Sequence, residues 1–556
     1  MKKIRGFILI SLLWAGCKKN PGDANPPGPT PVNFILSSWS VNNIATSQTT
    51  YYNVTRTPVI KFRFGAAINR GTVTANIILK DNPGNPVASN VSYENSDSVV
   101  VIQPSLPLNY LAKYTISVMN SLKSTNGGFL VSGKDLLLVT LIDSSRKFPI
   151  LSDNALLDSV QKQTFKYFWD FGHPVSGLAR ERSNGDNNVV TTGGSGFGIM
   201  AIPVAISRNF ITRAEGLARM QKIAGFLKTM PPRFHGAFSH WMNGTTGAVV
   251  PVASNDNGAD LVETSYLMMG LLTARQYFDG ADAGETALRS DINTLWNGVE
   301  WDWFRQNGKK VLYWNWSPDY GWAVNVPVQG WNECLITYVL AASSTTHGIS
   351  KAVYDSGYAR NGAMVNNNSY YGYVLPLGQP SGGPLFFEHY SFLGIKPSGL
   401  NDAYANYQTQ TTNHTLINYT YCKNNPGGYF GYSDSVWGLT ASDIPNGYTA
   451  SSPTNDIGVI APTAAISSMP YTPTESMKAL KFFYYVLGDK LWSDYGFRDA
   501  FTLQDTWFAG SYLAIDEGPI ILMIENYRTG LLWNLFTSCP EVKAGMLSLG
   551  FTAPYL

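Results

Sequence analysis

Asp256-Asn257-Gly258-Ala259-Asp260-Leu261-Val262-Glu263-Thr264-Ser265-Tyr266-Leu267-Met268-Met269-Gly270-Leu271-Leu272 begins with carboxylates and ends almost wholly apolar. An apolar run this even on all sides belongs to a buried helix. A buried helix has no need of acids, and ionised acids inside a protein are costly unless paired or open to a cavity. Gly330-Trp331-Asn332-Glu333 repeats the plan ahead of Cys334 to Ala342. So do Thr191 to Ser195 ahead of Gly196–Ile206, Asp456 ahead of Ile460–Ile466, and Asp516-Glu517 ahead of Ile520–Ile524. Amphipathic segments fall between these runs: Leu156, Leu157, Val160, Thr164 and Phe168, then Leu217, Met220, Ala224 and Leu227, then 285–299 and 475–487. Alternation of fully buried with half-exposed helices predicts an α/α toroid over about 148–556, with the polar leaders of the inner helices opening into one pocket.

Upstream the period changes. Val59-Ile60-Lys61-Phe62-Arg63-Phe64 and Tyr114 to Val118 alternate apolar with polar residues, and Ala75 to Leu79 does so more loosely. Ser98–Ile102 and Leu136–Ile142 read as short strands, and turn clusters such as Asn95-Ser96-Asp97 separate them. A small all-β sandwich of immunoglobulin type is expected over 32–146. It shows no chemistry of its own, and a spacer is the simpler reading beside glycan binding.

The first residues are expected to be a processing signal. Met1-Lys2-Lys3-Ile4-Arg5 is basic, and Gly6 to Ala15 is too short an apolar stretch to span a bilayer. Ala15-Gly16-Cys17 resembles a bacterial lipobox, from which Trp14 departs. The expectation is a signal over 1–17, lipid on Cys17, a Pro- and Gly-rich tether over 18–31, and a protein held at the periplasmic face of a membrane by that lipid alone. Net charge is +2, with 14% charged and 13% aromatic residues against a usual charged share of about 25%. Nothing here points to nucleic acid; neutral ligands with flat apolar faces, such as sugars, fit better. The remaining cysteines, Cys334, Cys422 and Cys539, have no zinc spacing, so no metal and no cofactor is expected. A Cys422–Cys539 disulfide has no support beyond the presence of two cysteines. The chain is expected to be a monomer.

The acids suggest hydrolysis. Asp260 and Glu263 stand one helical turn apart, and Asp256 belongs to the loop before them because Asn257-Gly258 is a turn signal. For each of these acids, capping of a helix start is as good a reading as catalysis. Glu333 is flanked by Trp331 and a solid apolar run, so burial should raise its pKa. Glycoside hydrolysis needs a protonated carboxyl for the leaving oxygen and a second carboxylate to activate water. The site is read as catalytic Glu333, Asp260, Glu263 and Asp256. Trp241, Trp316, Trp322, Trp331, Arg180, Arg182, His240, Asp443 and Asp516 are expected to contact substrate. There is no GxSxG elbow, HExxH or P-loop. His389-Tyr390 keeps open a polysaccharide lyase on the same kind of toroid, and a lipid-anchored glycan-binding protein is the third reading.

The helical part resembles the glycoamylase-like family that contains the bacterial β-1,2-glucanases of glycoside hydrolase family 144. The resemblance is carried by Asn255 to Tyr266, Gly330-Trp331-Asn332-Glu333, Trp437 to Asp443, Ile460 to Ala465 and Asp516 to Arg528. It implies an (α/α)6 toroid and an inverting, metal-independent hydrolase of β-1,2-glucan. It also implies that Glu333 is the general acid and that Asp256, Asp260 and Glu263 are needed for activity. The general base stays open among Asp260, Asp443, Asp456 and Asp516. The β-rich module lies outside the matching region.

Overall fold

The computed structural model describes residues 30–45 and 47–556. The expected signal over 1–17, lipidation at Cys17 and all but the end of the tether lie outside the described residues. The chain divides between Ile142 and Asp143 into two units.

In the first unit, alternation decides the faces. β1 (Leu36–Val41), β2 (Ile44–Ala45), β3 (Thr50–Val54), β4 (Ile60–Phe64), β5 (Ile77–Asp81), β6 (Ser89–Glu94), β7 (Val99–Pro104), β8 (Lys113–Val118) and β9 (Lys134–Thr140) form two sheets. Their orders are β2-β1-β4-β7-β6 and β3-β9-β8-β5. Only β3 and β9 run parallel. Ile60, Phe62 and Phe64 of β4 share one buried cluster with Tyr114, Ile116 and Val118 of β8, as a period of two requires. Asn95, Ser96 and Asp97 all take positive φ in the turn from β6 to β7. The loosely alternating start at Ala75 is a helical turn, Val73–Asn76, and the strand begins only at Ile77.

The second unit is helical, with short β-ribbons between the helices. In chain order its main elements are α1 (Asp153–Trp169), β10 (Val189–Thr191), α2 (Thr192–Ser207), α3 (Arg213–Thr229), β11 (Trp241–Asn243), β12 (Ala259–Asp260), α4 (Leu261–Tyr277) and α5 (Ala283–Asn297). There follow β13 (Asn315–Trp316), α6 (Leu335–Ser343), α7 (Tyr407–Asn424), β14 (Ala441–Ile444), β15 (Gly447–Ala450), α8 (Pro462–Ile466), α9 (Pro473–Tyr485), α10 (Ala514–Arg528), α11 (Leu531–Thr537) and α12 (Pro540–Leu549). α2 is buried without a break from Thr192 to Ala205, and α4 from Leu261 to Ala274. α5 buries only one face, through Glu285, Leu288, Ile292, Leu295 and Trp296.

The buried elements close on themselves. α2 packs on α4, α4 on α6, α8 on α10, and α10 on α2. The gap between α6 and α8 is filled by the short helical segment 385–393. Ser391 Oγ accepts Ile336 N–H of α6 at 3.0 Å, and His389 Nε2 meets Ser468 Oγ, two residues past α8, at 3.0 Å. The closest approach is that of α2 to α4. A Cβ on Gly196 would sit 2.2 Å from the Tyr266 carbonyl, and one on Gly270 would sit 2.3 Å from the Gly196 carbonyl. Only glycine lets these two backbones touch, and that contact aligns the starts of the two helices. Cys334, Cys422 and Cys539 are buried free thiols, so the Cys422–Cys539 bridge does not form. No described helix is long and apolar enough to cross a membrane.

Candidate active site

Asp260 is the N-cap of α4: its Oδ1 accepts Glu263 N–H at 2.9 Å. The capping alternative is therefore true of Asp260, but it occupies one oxygen only. Oδ2 takes His240 Nδ1 at 2.8 Å and Trp314 Nε1 at 3.1 Å. Pairing of β12 with β13 sets Asp260 opposite Asn315 and Ala259 opposite Trp316. The same register lets Asn315 Nδ2 donate to Asp256 Oδ1 at 3.1 Å. Glu263 crosses to the neighbouring helix, where its Oε2 accepts Gly193 N–H at 2.7 Å. A side chain at 193 would collide with it, since a Cβ there would lie 2.6 Å from that oxygen.

His240 is the cation of this sector. Burial works against its charge, but Glu263, Asp260 and Asp256 outweigh burial and hold the imidazolium up to about 10. Glu263 is pushed up by burial and by Asp260, while His240 and the Gly193 N–H pull it back. Burial and Asp260 likewise raise Asp256.

Glu333 sits just ahead of α6. It is half-buried. Burial drives its pKa up to about 7, its own backbone N–H opposes the rise, and the charges of Glu263 and Asp260 add to it. At neutral pH the group is poised between acid and base, as a general acid should be.

A second acid sector lies across the opening. Arg182 is brought beside α10 by a β-bridge to Leu513. It pairs with Glu181 at 3.1 Å and with Asp443 of β14 at 3.0 Å. Asp443 N–H donates to Asp499 Oδ2 at 2.6 Å, and Ser511 Oγ donates to Asp443 Oδ2. The carboxyls of Asp499 and Asp516 then lie against each other. Asp499 Oδ1 and Asp516 Oδ2 meet no protein donor among the described residues, so a proton held between them is what satisfies both. Burial is the first cause of the rise in each, to about 7 for Asp499; Asp443's charge adds to Asp499's rise and Asp499's to that of Asp516. Glu517 is raised by burial and by Asp499.

The two sectors bear on common groups. The phenol of Tyr390, in the segment 385–393, is pushed well above its ordinary 10 by burial and then by Asp516, Tyr448, Glu333 and Glu263. Glu181, raised by burial, is pulled down by Arg182, raised by Asp443 and pulled down by His240. Mutual electrostatic influence thus runs in a circle: His240, Asp260, Glu263, Glu333, Tyr390, Asp516, Asp499, Asp443, Arg182, Glu181 and back to His240.

Several expected site residues stand elsewhere. Trp331 is buried, with its indole N–H on Glu388 Oε1 at 2.9 Å and its ring against Phe392 and Tyr407; it presents no face to a sugar. Arg180 is spent on carbonyls, donating to Asn187 O at 2.8 Å and Phe171 O at 2.9 Å. Asp456 accepts from Tyr432 at 2.8 Å and Gly458 N–H at 2.9 Å, and no charge of the circle bears on it. Trp437 is fully buried. Trp316 packs on Phe234, His235 and Trp303, and Trp322 on Trp303, Phe304 and Tyr313. Trp241 is half-buried edge-on to His240. His389, the base a lyase would need, is buried on Ser468 and pushed down to about 3 by burial and by His414. Sequence reading missed Glu181, Asp499 and Tyr448, which lie in loops and ribbons with no periodicity to mark them. Among the described residues no group of side chains could hold a metal ion.

A family model described as "Putative glucoamylase" matches residues 325–540, and a bacterial Ig-like domain model matches 41–136. An exo-β-1,2-glucooligosaccharide sophorohydrolase (non-reducing end) of Parabacteroides distasonis is 47% identical over 424 residues, which is 72% of this chain. The chain spans 58% of the length of that curated relative. Among solved structures, the endo-β-1,2-glucanase of Chitinophaga pinensis in its sophorotriose and glucose complex is 52% identical, with a TM-score of 0.72. That match covers 73% of this chain and 100% of the other. A β-1,2-glucanase of Parabacteroides distasonis is 39% identical with a TM-score of 0.70, covering 93% of this chain and 74% of the other.

Proposed function

The chain belongs to the glycoamylase-like family, and from that premise we propose that it is a glycoside hydrolase acting on β-1,2-glucan by an inverting acid/base mechanism. The observation that carries the reading is Glu333, held up to about 7 in an opening ringed by other carboxyls. In this reading Glu333 protonates the leaving oxygen. A carboxylate across the opening activates water, with Asp260, Asp443 and Asp516 as the candidates. His240 and Arg182 hold their acid neighbours in place. Glu181 and Tyr390, which complete the circle, join Trp241 in lining it. The closed order of six buried elements, with amphipathic helices outside them, is read as an (α/α)6 toroid. Digestion of linear β-1,2-glucan, with the anomeric form of the first product followed by NMR, tests the proposal. An inverted product supports it; a retained one removes inversion, and no cleavage removes the substrate.

The same reading includes a lipid on Cys17 and a periplasmic, membrane-held protein. It rests on the Ala15-Gly16-Cys17 pattern, and anchoring of this kind takes more than one acyl chain. Fractionation of Cys17→Ser with membranes, as the parent does, would overturn it.

A further inference from the structure

One buried carboxyl cluster has no part in the reaction proposed above. Glu388 is fully buried, and three donors converge on its Oε1: Trp331 Nε1 at 2.9 Å, Gln410 Nε2 at 2.9 Å and His414 Nδ1 at 2.8 Å. The other ring nitrogen of His414 faces the Gly383 carbonyl at 3.0 Å. Both imidazole nitrogens therefore face oxygen atoms, and neither Glu388 nor His414 has any exposure. Gln410 is locked in turn, since its Oε1 accepts Leu377 N–H at 2.8 Å. Burying a polar group is costly unless it is fully hydrogen-bonded, and this cluster leaves Glu388 Oε2 without a protein partner among the described residues. A core built only to be stable would not contain it.

What the pair does hold is the segment that carries the acid. Trp331 is tied through its indole to Glu388. Asn332 is tied by Tyr358 Oη, which donates to its carbonyl at 2.9 Å, and its own Oδ1 caps Cys334 N–H at 3.0 Å. The Glu333 carbonyl accepts Ser391 Oγ, and Tyr266 Oη reaches it at 3.4 Å. Glu388 and Ser391 stand three residues apart on the same short helical segment, so one rigid element grips both ends of Trp331–Glu333. Tyr471 Oη pins that element from the α8 side by donating to the Glu388 carbonyl at 2.7 Å.

We propose that Glu388, with His414 as its fixed hydrogen-bond partner, is a positioning residue for the acid Glu333, acting through the Trp331 indole. The inference rests on the reading of Glu333 as general acid. Trp331 is then part of the mounting of that acid, and the grip decides where the carboxyl points rather than whether the sugar binds.

The test compares two substrates across four proteins: the parent, Glu333→Gln, Trp331→Phe and Glu388→Gln. One substrate is β-1,2-glucan. The other is a β-1,2-glucooligosaccharide bearing dinitrophenolate, a leaving group that departs without a proton. Glu333→Gln sets the scale, with a large loss on glucan and little on the activated chain. Trp331→Phe, which keeps a ring but loses the N–H, should show the same asymmetry at lower amplitude. Its kcat on glucan should fall on the order of 10–10²-fold, the scale of a small misplacement, with KM unchanged. Glu388→Gln should do likewise. If it does not fold, Ser391→Ala, which frees the other end of the grip, replaces it. Equal losses on both substrates, or no loss on glucan, would overturn the positioning role while leaving Glu333 as the acid. If Glu333→Gln itself lost both activities equally, the assignment of the acid would fail and this inference with it.

Discussion

The two acid sectors are built from the same sequence feature and meet different partners. Asp260 and Glu263 open α4, and Asp516 and Glu517 open α10. In the first sector an imidazolium, an indole N–H and two backbone N–H groups meet the carboxyls. In the second, Arg182 is consumed by Glu181 and Asp443. Asp499, Asp516 and Glu517 behind it are pushed up by burial first, with Arg182 opposing the rise at Asp499. Burial pushes every one of these acids toward neutrality. What separates the sectors is whether a donor arrives from another part of the chain to oppose it.

The largest expected effect tests the residue between them. Glu333→Gln cannot donate a proton, and general acid catalysis is worth roughly 10²–10⁴-fold, so turnover of glucan should fall by that factor while the fold survives. Near-normal turnover on an unactivated glucan would take the acid out of the comparison. Next, Asp260→Asn should strand the His240 charge. We expect a loss of activity on the order of 10–10²-fold and a loss of stability on the order of 1–3 kcal/mol, since part of His240 is open to solvent. Asp516→Asn removes a group already neutral and should cost less stability than Asp260→Asn. The reverse order in denaturant unfolding would break the distinction between the sectors.

A smaller effect is a pair of pH windows. An imidazolium held at about 10 against an ordinary 6.5 gives stability fully present below 6.5 and lost as pH rises through about 10. Asp499 is an acid whose folded pKa, about 7, lies above its ordinary 3.8. The folded chain keeps a proton that the unfolded chain releases, so that contribution is whole below 3.8 and is lost as pH rises through about 7. Stability curves for His240→Gln and Asp499→Asn should differ from the parent in these separate windows; a shared window would mean that the sectors titrate as one. The smallest effect expected is none. A chain beginning at Phe148 should turn over soluble glucan at the parental rate, because every residue of the circle belongs to the unit after Ile142. A large loss in a well-folded truncation would put part of the site outside that unit.

Much of the helical unit was legible. Runs apolar on all sides became α2, α4, α6 and α10, and the period-3.6 runs became α1, α3, α5 and α9, because those patterns leave a helix one way to bury itself. The positions of Asp260, Glu263, Glu333 and Asp516 at helix starts were legible for the same reason, since each stands at the head of a run apolar on all sides. Asp456 misled because its apolar run shrinks to α8, which begins only at Pro462; the acid is left among tyrosines. Trp331 misled because an indole can serve a sugar or a buried carboxylate, and its partner Glu388 is distant in sequence. Asp499 was invisible because an acid in an irregular loop carries no pattern.

The chain's own order of residues determined which segments are buried, which acids stand at their ends and that those ends open together, because periodicity and burial are local properties of a helix. It did not determine what each of those acids meets. That was decided when Gly196 and Gly270 let α2 touch α4 and set Gly193 N–H on Glu263, when His240 was folded onto Asp260, and when Asp499 met Asp516. Protonation depends on distances of a few ångströms between groups far apart in the chain, and only the tertiary structure sets those distances.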